Sequence, residues 1–185
     1  MHQHIPSGIL WPHVRLNVMS NGMVVDVQAL LDIELIDAQK AASKHGIDVF
    51  ERLLLSGNAH AVLPYHKAIE QVRAGLSANA RTTGRGIGPT YAMKHAYQGV
   101  TINMLLSQSK LRARLDQILP EVNHLLRRLD KDAPQFTTKE MVDFVDPYVE
   151  RLKKIVGDAG HVLREAVQTE EIIFEGAQGT MLDID

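Results

Sequence analysis

The apolar positions of this chain fall into two regimes. Up to about residue 76 they come in short runs or alternate with polar ones, and from about residue 105 they recur at helical steps. In the first regime Val14, Leu16 and Val18 alternate with polar neighbours, Asn21-Gly22 offers a tight turn, and Met23-Val24-Val25 returns. Residues 13–27 are therefore predicted to form a β-hairpin. Asp26 is placed to cap a helix from about Gln28 to Lys44, with Gly46 just past its end. Short strands are predicted at Ile47-Asp48-Val49, at Leu53-Leu54-Leu55 and over 59–63, the last ended by Pro64. Helical spacing resumes through Ala68, Ile69, Val72 and Leu76.

In the second regime Leu111, Leu115, Ile118, Val122, Leu125 and Leu129 form one stripe, which Pro120 is expected to kink or split. Thr137 and Glu140 form a capping box opening a further helix, with Met141, Val145, Val149, Leu152 and Val156 as its stripe, interrupted near Pro147. The stripes read as core and the arginines between them, Arg114 included, as solvated faces. Glu171-Ile172-Ile173-Phe174 reads as a strand, followed at once by the glycine turn Gly176-Ala177-Gln178-Gly179-Thr180. Together these elements predict an α/β fold: a mainly parallel sheet with flanking helices and a helical excursion over about 100–168. Both ends are abrupt, Asp185 following directly on a glycine turn. The 185 residues thus read as the central fragment of a single, incomplete domain.

Composition narrows the function classes. A net charge of −2 gives no general basic footprint for nucleic acid. The absence of cysteine removes disulfide and thiolate chemistry and suits a reducing, cytoplasmic compartment. No run of 18 apolar residues predicts a membrane span. The nine histidines lack metal-ligand spacing: His60 and His66 straddle Pro64, and no H-x-x-x-H or H-E-x-x-H occurs. No metal site is expected within these residues. Pro6-Ser7-Gly8-Ile9 is not a nucleophile elbow, but its hydroxyl and glycine suit a short turn facing an anion.

The densest chemistry lies in Arg81-Thr82-Thr83-Gly84-Arg85-Gly86-Ile87-Gly88-Pro89-Thr90-Tyr91. Glycine permits φ > 0 and close approach to a ligand, threonine hydroxyls and amides hold phosphate oxygens, and arginine balances charge. Proline suits the start of a following helix, whose N-terminus favours anions. The spacing is neither a Walker loop nor a dinucleotide fingerprint. Two readings stand on the residues alone: a phosphate-holding element, or a glycine-rich surface turn with stray charges. The turn at Gln178 is similarly open. Its amide suits reading a base edge at a strand end, or satisfies local backbone.

Thr82-Thr83-Gly84-Arg85-Gly86-Ile87-Gly88-Pro89 and the segment 174–185, Phe174-Glu175-Gly176-Ala177-Gln178-Gly179-Thr180 onwards, strongly resemble two signature segments of the adenylosuccinate synthetase family. Ile5-Pro6-Ser7-Gly8, Asn21-Gly22, Gly46-Ile47-Asp48-Val49 and Leu63-Pro64-Tyr65-His66 add matches in the family's order. The resemblance implies a cytoplasmic, homodimeric ligase of AMP biosynthesis. Such an enzyme joins IMP to L-aspartate with GTP and Mg²⁺, by phosphorylating the purine 6-oxygen and displacing it with the aspartate amine. It implies that Thr82 and Thr83 meet the IMP 5′-phosphate, supported by Gly84, Arg85, Gly86 and Gly88, that Gln178 faces the IMP pocket, and that Lys94 is a signature lysine. The family's catalytic Asp loop, catalytic His and Mg²⁺ neighbourhood have no counterpart in residues 1–185, and the guanine- and aspartate-binding segments fall beyond them. The resemblance therefore implies a fragment inactive by itself.

Three positions depart from the family pattern. Ala92 and Met93 stand where acidic residues are usual, and Tyr97 stands where an arginine reaches across the dimer to a neighbour's IMP phosphate. Loss of a charge-assisted phosphate contact costs about 1.5–3 kcal/mol. The alternatives are a non-catalytic nucleotide-binding or subunit-interaction remnant, or a synthetase for another purine nucleotide.

Overall fold

The fold was obtained as a computed structural model, which describes residues 4–76 and 83–176. Two broken lengths of extended chain set its frame. Strands β1 (Asn17–Met19) and β2 (Val24–Asp26) are joined by a β-turn in which the Met23 amide donates to the Ser20 carbonyl at 3.1 Å. Strands β3 (Leu53–Ser56) and β4 (His60–Val62) are joined likewise, the Ala59 amide donating to the Ser56 carbonyl at 3.1 Å. β1 lies parallel to β3, Asn17 opposite Leu53, and β2 lies parallel to β4, Val24 opposite His60. The register offset is the same in both ladders, so they form one parallel pairing interrupted by matched turns. A short strand β5 (Val156–Gly157) adds in parallel to the other edge of β3.

The predicted hairpin over 13–27 is thus not formed. Asn21-Gly22 does make a turn, but the strands on either side pair with the later segment, not with each other. All three residues of β2 are buried. Burial on both faces marks a parallel strand under helices, whereas a hairpin at the surface keeps one face wet.

The crossover between the two lengths is helical, as predicted. It consists of α1 (Val27–Ala29), a π-helical turn (Leu30–Glu34) and α2 (Leu35–Ala42). The Asp26 carboxylate accepts from the Ala29 amide at 3.2 Å, and Gly46 turns left-handed (φ +66°) at the far end. Leu30, Leu31, Leu35, Ala38 and Ala42 face the core. Ile47-Asp48-Val49 is no strand, because its polar groups are already engaged. The Gln39 side chain donates to the Ile47 carbonyl and accepts from the Val49 amide, at 3.1 and 2.9 Å, and the Ile47 amide reaches the Ala42 carbonyl.

Pro64 ends β4 and opens α3 (Pro64–Gly75), where its missing N–H is an orphan in any case. The excursion holds α5 (Ile102–Leu105), α6 (Gln108–Leu129), α7 (Thr138–Val145), α8 (Val149–Leu152) and α9 (Ala159–Ala166). Pro120 does not split the stretch: α6 continues through it. Pro120 is exposed, so the carbonyl it leaves without an amide partner faces water. The capping box at Thr137 forms as read, with Glu140 reaching back to the Thr137 amide at 2.8 Å. Val156 leaves the predicted helical stripe to build β5. Leu111, Leu115, Ile118, Val122 and Leu126 are buried in the core shared with the strands.

Glu171–Phe174 was expected as a strand, yet it pairs with no ladder among the described residues, and Ile173 and Phe174 are about nine-tenths exposed. An extended apolar run becomes a strand only where its backbone meets the edge of another strand, and this one lies against none among the described residues. Among the described residues no helix is long and apolar enough to cross a membrane.

Candidate functional site around the glycine loop

The glycine loop leads into α4 (Ile87–His95). Gly84 and Gly86 both take left-handed backbone, at φ +69° and +78°, which explains the alternating glycines physically. Pro89 falls within the first turn of α4, not at its first position, still among the residues whose amides have no helical partner. Thr83, Gly84, Arg85 and Gly88 are exposed, while Gly86 is buried.

Gly86 is held on every side. Its carbonyl accepts from the Thr90 amide and hydroxyl at 3.1 and 2.7 Å. Its amide donates to the Glu70 carboxylate of α3. A Cβ at this position would lie 2.9–3.0 Å from the Lys67 amide nitrogen and from His66, so only glycine lets the loop rest on the first turn of α3. α3 is fixed in turn. His66 is fully buried, and its Nδ1 accepts from the Leu63 amide at 2.9 Å. Lys67 pairs with the buried Asp26 carboxylate at 2.6 Å. The Asp26 amide donates to Nε2 of His4, whose Nδ1 consequently carries the proton and donates to Glu34 at 2.9 Å.

The far end of α4 faces the turn between β1 and β2. Lys94 Nζ donates to the Asn21 and Gly22 carbonyls at 2.8 and 3.1 Å, and the Tyr91 hydroxyl donates to the Gly22 carbonyl at 3.2 Å. Burial holds the Lys94 ammonium below its ordinary pKa. Burial and the charge of Lys94 act the same way on His60. Gly99 closes over the His60 ring, where a Cβ would come within 2.3 Å of the imidazole. The Nδ1 of His60, the hydroxyl of Tyr65 and the Nε2 of His66 are buried without a hydrogen-bond partner among the described residues.

Tyr97 stands directly after α4 with φ +59° and is 89% exposed. It occupies the left-handed position of a Schellman ending. Its amide donates to the Lys94 carbonyl at 3.1 Å and the Gln98 amide to the Met93 carbonyl at 2.8 Å. Arg114, read from sequence as part of a solvated face, instead secures this ending: its guanidinium donates to the carbonyls of Gly99, at 3.1 Å, and Tyr97. Ala92 and Met93 line, with Pro89, a cavity of about 210 Å³ between α3, α4 and α6 whose polar lining is Arg73, Gln98 and Glu121.

The turn at Ser7 faces an anion, and the anion is part of the chain. The Ser7 amide and hydroxyl both donate to the Glu175 carboxylate, at 2.9 and 2.8 Å. The structure thus brings the segment before the second glycine turn back to the chain's first described residues. Thr82 and Gln178 lie outside the described residues. Among the site residues, sequence reasoning missed Glu70 and the fastening role of Arg114. Nothing local to the loop flags Glu70; the only signal is an acid four positions after His66 on the same face of α3.

Parallel strands joined through a helical crossover, with a glycine loop seated at a helix N-terminus, define an α/β protein with an exposed anion-compatible loop. The chain belongs to the adenylosuccinate synthetase family, whose model matches residues 1–185. It is 39% identical over 184 residues to the adenylosuccinate synthetase of Thermobifida fusca and 40% identical over 184 residues to that of Kineococcus radiotolerans. Each alignment covers 98% of this chain and 41% of the relative, so the chain spans about two fifths of their length. The fold is similar to the fully ligated adenylosuccinate synthetase of Plasmodium falciparum, with a TM-score of 0.77 at 24% identity over 98% of this chain and 41% of that one.

Proposed function

We propose that the whole protein is a GTP- and Mg²⁺-dependent ligase that joins IMP and L-aspartate to form adenylosuccinate in purine biosynthesis, and that these residues supply part of its IMP site. Family membership supports the reaction class. The observation that carries the site is the paired left-handed backbone at Gly84 and Gly86, which turns the exposed Thr83 and Arg85 around the N-terminus of α4. In this reading the Thr83 hydroxyl, with Thr82 beside it, and the loop amides donate to the 5′-phosphate oxygens. Arg85 balances their charge, and the helix end adds its own positive potential. Gln178 is assigned to the purine side. Lys94, at the far end of α4, fastens the turn between β1 and β2. GTP and Mg²⁺ supply the phosphoryl group and its charge neutralisation. That part of the chemistry is assigned to the family's catalytic Asp loop and Mg²⁺ neighbourhood, which have no counterpart in residues 1–185. The chain alone is accordingly assigned no ligase activity, and the working protein is a homodimer in the cytoplasm.

Tyr97 supports a second reading: a non-catalytic nucleotide-binding or subunit-interaction remnant, or a synthetase with another purine. It offers one hydroxyl where the family offers a cation. Titration calorimetry separates the two. Micromolar IMP binding that weakens at least tenfold in Thr83→Ala supports the half-site. Absence of IMP binding by the unsubstituted chain favours the remnant, and tighter binding of GMP than IMP favours the changed purine.

A further inference from the structure

The glycine loop is exposed at Thr83–Arg85 and fixed at Gly86, and the fixing is done from another helix. The Gly86 amide is turned inward and donates to the Glu70 carboxylate of α3. A carboxylate this close to a phosphate site works against the phosphate through space. Its presence there calls for a compensating role, and the geometry supplies one. Gly86 sits at φ +78°, a conformation open to many alternatives in a free glycine. With its carbonyl taken by Thr90, its α-carbon against Lys67 and His66, and its amide on Glu70, one backbone rotation remains for the residue that ends the loop.

We propose that Glu70 is the positioning residue of the phosphate loop. By accepting the Gly86 amide it sets the orientation in which Thr83, Gly84 and Arg85 present their donors, and it acts on the nucleotide only through that backbone. The role rests on the phosphate-loop reading given above. The charge of Glu70 is not what the loop needs. What it needs is an acceptor oxygen at this height on α3, one turn after His66, whose backbone the loop touches. The neighbouring cation does not offset the carboxylate either, since Lys67 is committed to Asp26. An amide in place of the carboxylate therefore keeps the function.

The test uses the full chain, with Glu70→Ala, Glu70→Gln and Thr83→Ala. Amide hydrogen exchange followed by NMR reads the clamp without any ligand. Gly86 exchanges at least tenfold faster in Glu70→Ala, Glu70→Gln restores most of the protection, and the amides of α6 report an unchanged fold. Titration with IMP and with inosine reads the consequence. Glu70→Ala weakens IMP about tenfold and leaves inosine, which carries no phosphate, unchanged; Glu70→Gln binds IMP within about threefold of the unsubstituted chain. Unaltered Gly86 exchange in Glu70→Ala overturns the clamp whatever the ligand does. IMP binding that falls in Thr83→Ala but not in Glu70→Ala overturns the positioning role and leaves the phosphate loop standing. Equal loss of IMP and inosine in Glu70→Ala reduces Glu70 to a fold contact and overturns it too. No response to IMP in the unsubstituted chain refutes the phosphate-loop reading and, with it, the role assigned to Glu70.

Discussion

At the scale of single residues, the ground beneath the loop is set by a few buried polar groups. His66 is the clearest. Its Nδ1 accepts the Leu63 amide, so the ring's proton sits on Nε2, buried and without a partner among the described residues, and burial pushes its pKa down to about 3. A second proton has nowhere to go in the folded chain, while the unfolded chain takes it up near pH 6.5. Stability is therefore fully present above about pH 6.5 and falls, at up to about 1.4 kcal/mol per unit, as pH drops toward 3. His66→Gln keeps a side-chain acceptor at the same helical position and cannot titrate. Urea unfolding at pH 7.5 and 5 should show the unsubstituted chain losing about 2 kcal/mol more than this variant; equal losses contradict the assignment. Tyr97 carries strain of the other kind. A tyrosine in left-handed backbone costs about 1 kcal/mol or more relative to glycine, and the Schellman bonds and Arg114 hold it there. That an arginine fastens this ending could not be read from sequence, because Arg114 lies on an ordinary polar helix face and finds Gly99 only when the elements meet.

At the scale of elements, the helices were legible and the strand partners were not. The crossover helix, its Asp26 cap, its Gly46 stop and the Thr137 capping box all follow from local rules, since each is settled within a turn or two of chain. The hairpin reading failed at Asn21-Gly22 because a turn dipeptide reports a local bend and not what the flanking strands pair with. Glu171–Phe174 has the composition of a strand but pairs with no other strand among the described residues. Pro120 leaves its helix unsplit for a different reason. A proline breaks a helix when the freed carbonyl is buried, and here solvent accommodates it. The cost remains: proline in a helix interior is about 3 kcal/mol less favourable than alanine, of which the stiffer unfolded chain returns up to about 1 kcal/mol. Pro120→Ala is expected to raise stability by about 1–3 kcal/mol in urea unfolding. A decrease would mean that α6 is shaped by the proline and not merely tolerant of it.

At the scale of the whole molecule, one parallel pairing in two ladders brings together segments far apart in sequence. The turn between β1 and β2 comes under α4, the start of α3 comes under the glycine loop, and Glu175 comes to Ser7. The family was legible because its signature residues are the ones that special backbone demands. Gly84 and Gly86 are left-handed, and Gly86 and Gly99 leave no room for a Cβ. The departures at Ala92 and Met93 were legible as differences but not in their effect, because their helix face is defined only once α3 and α6 pack against it. The central claim is that this chain holds the phosphate of a nucleoside monophosphate at residues 83–86. It is tested most directly by titrating the ¹⁵N-labelled chain with IMP and, separately, with inosine. The account predicts saturable shifts of the Thr83, Gly84 and Arg85 amides with IMP that inosine does not reproduce. Loop amides unmoved by IMP, or moved equally by inosine, would contradict it.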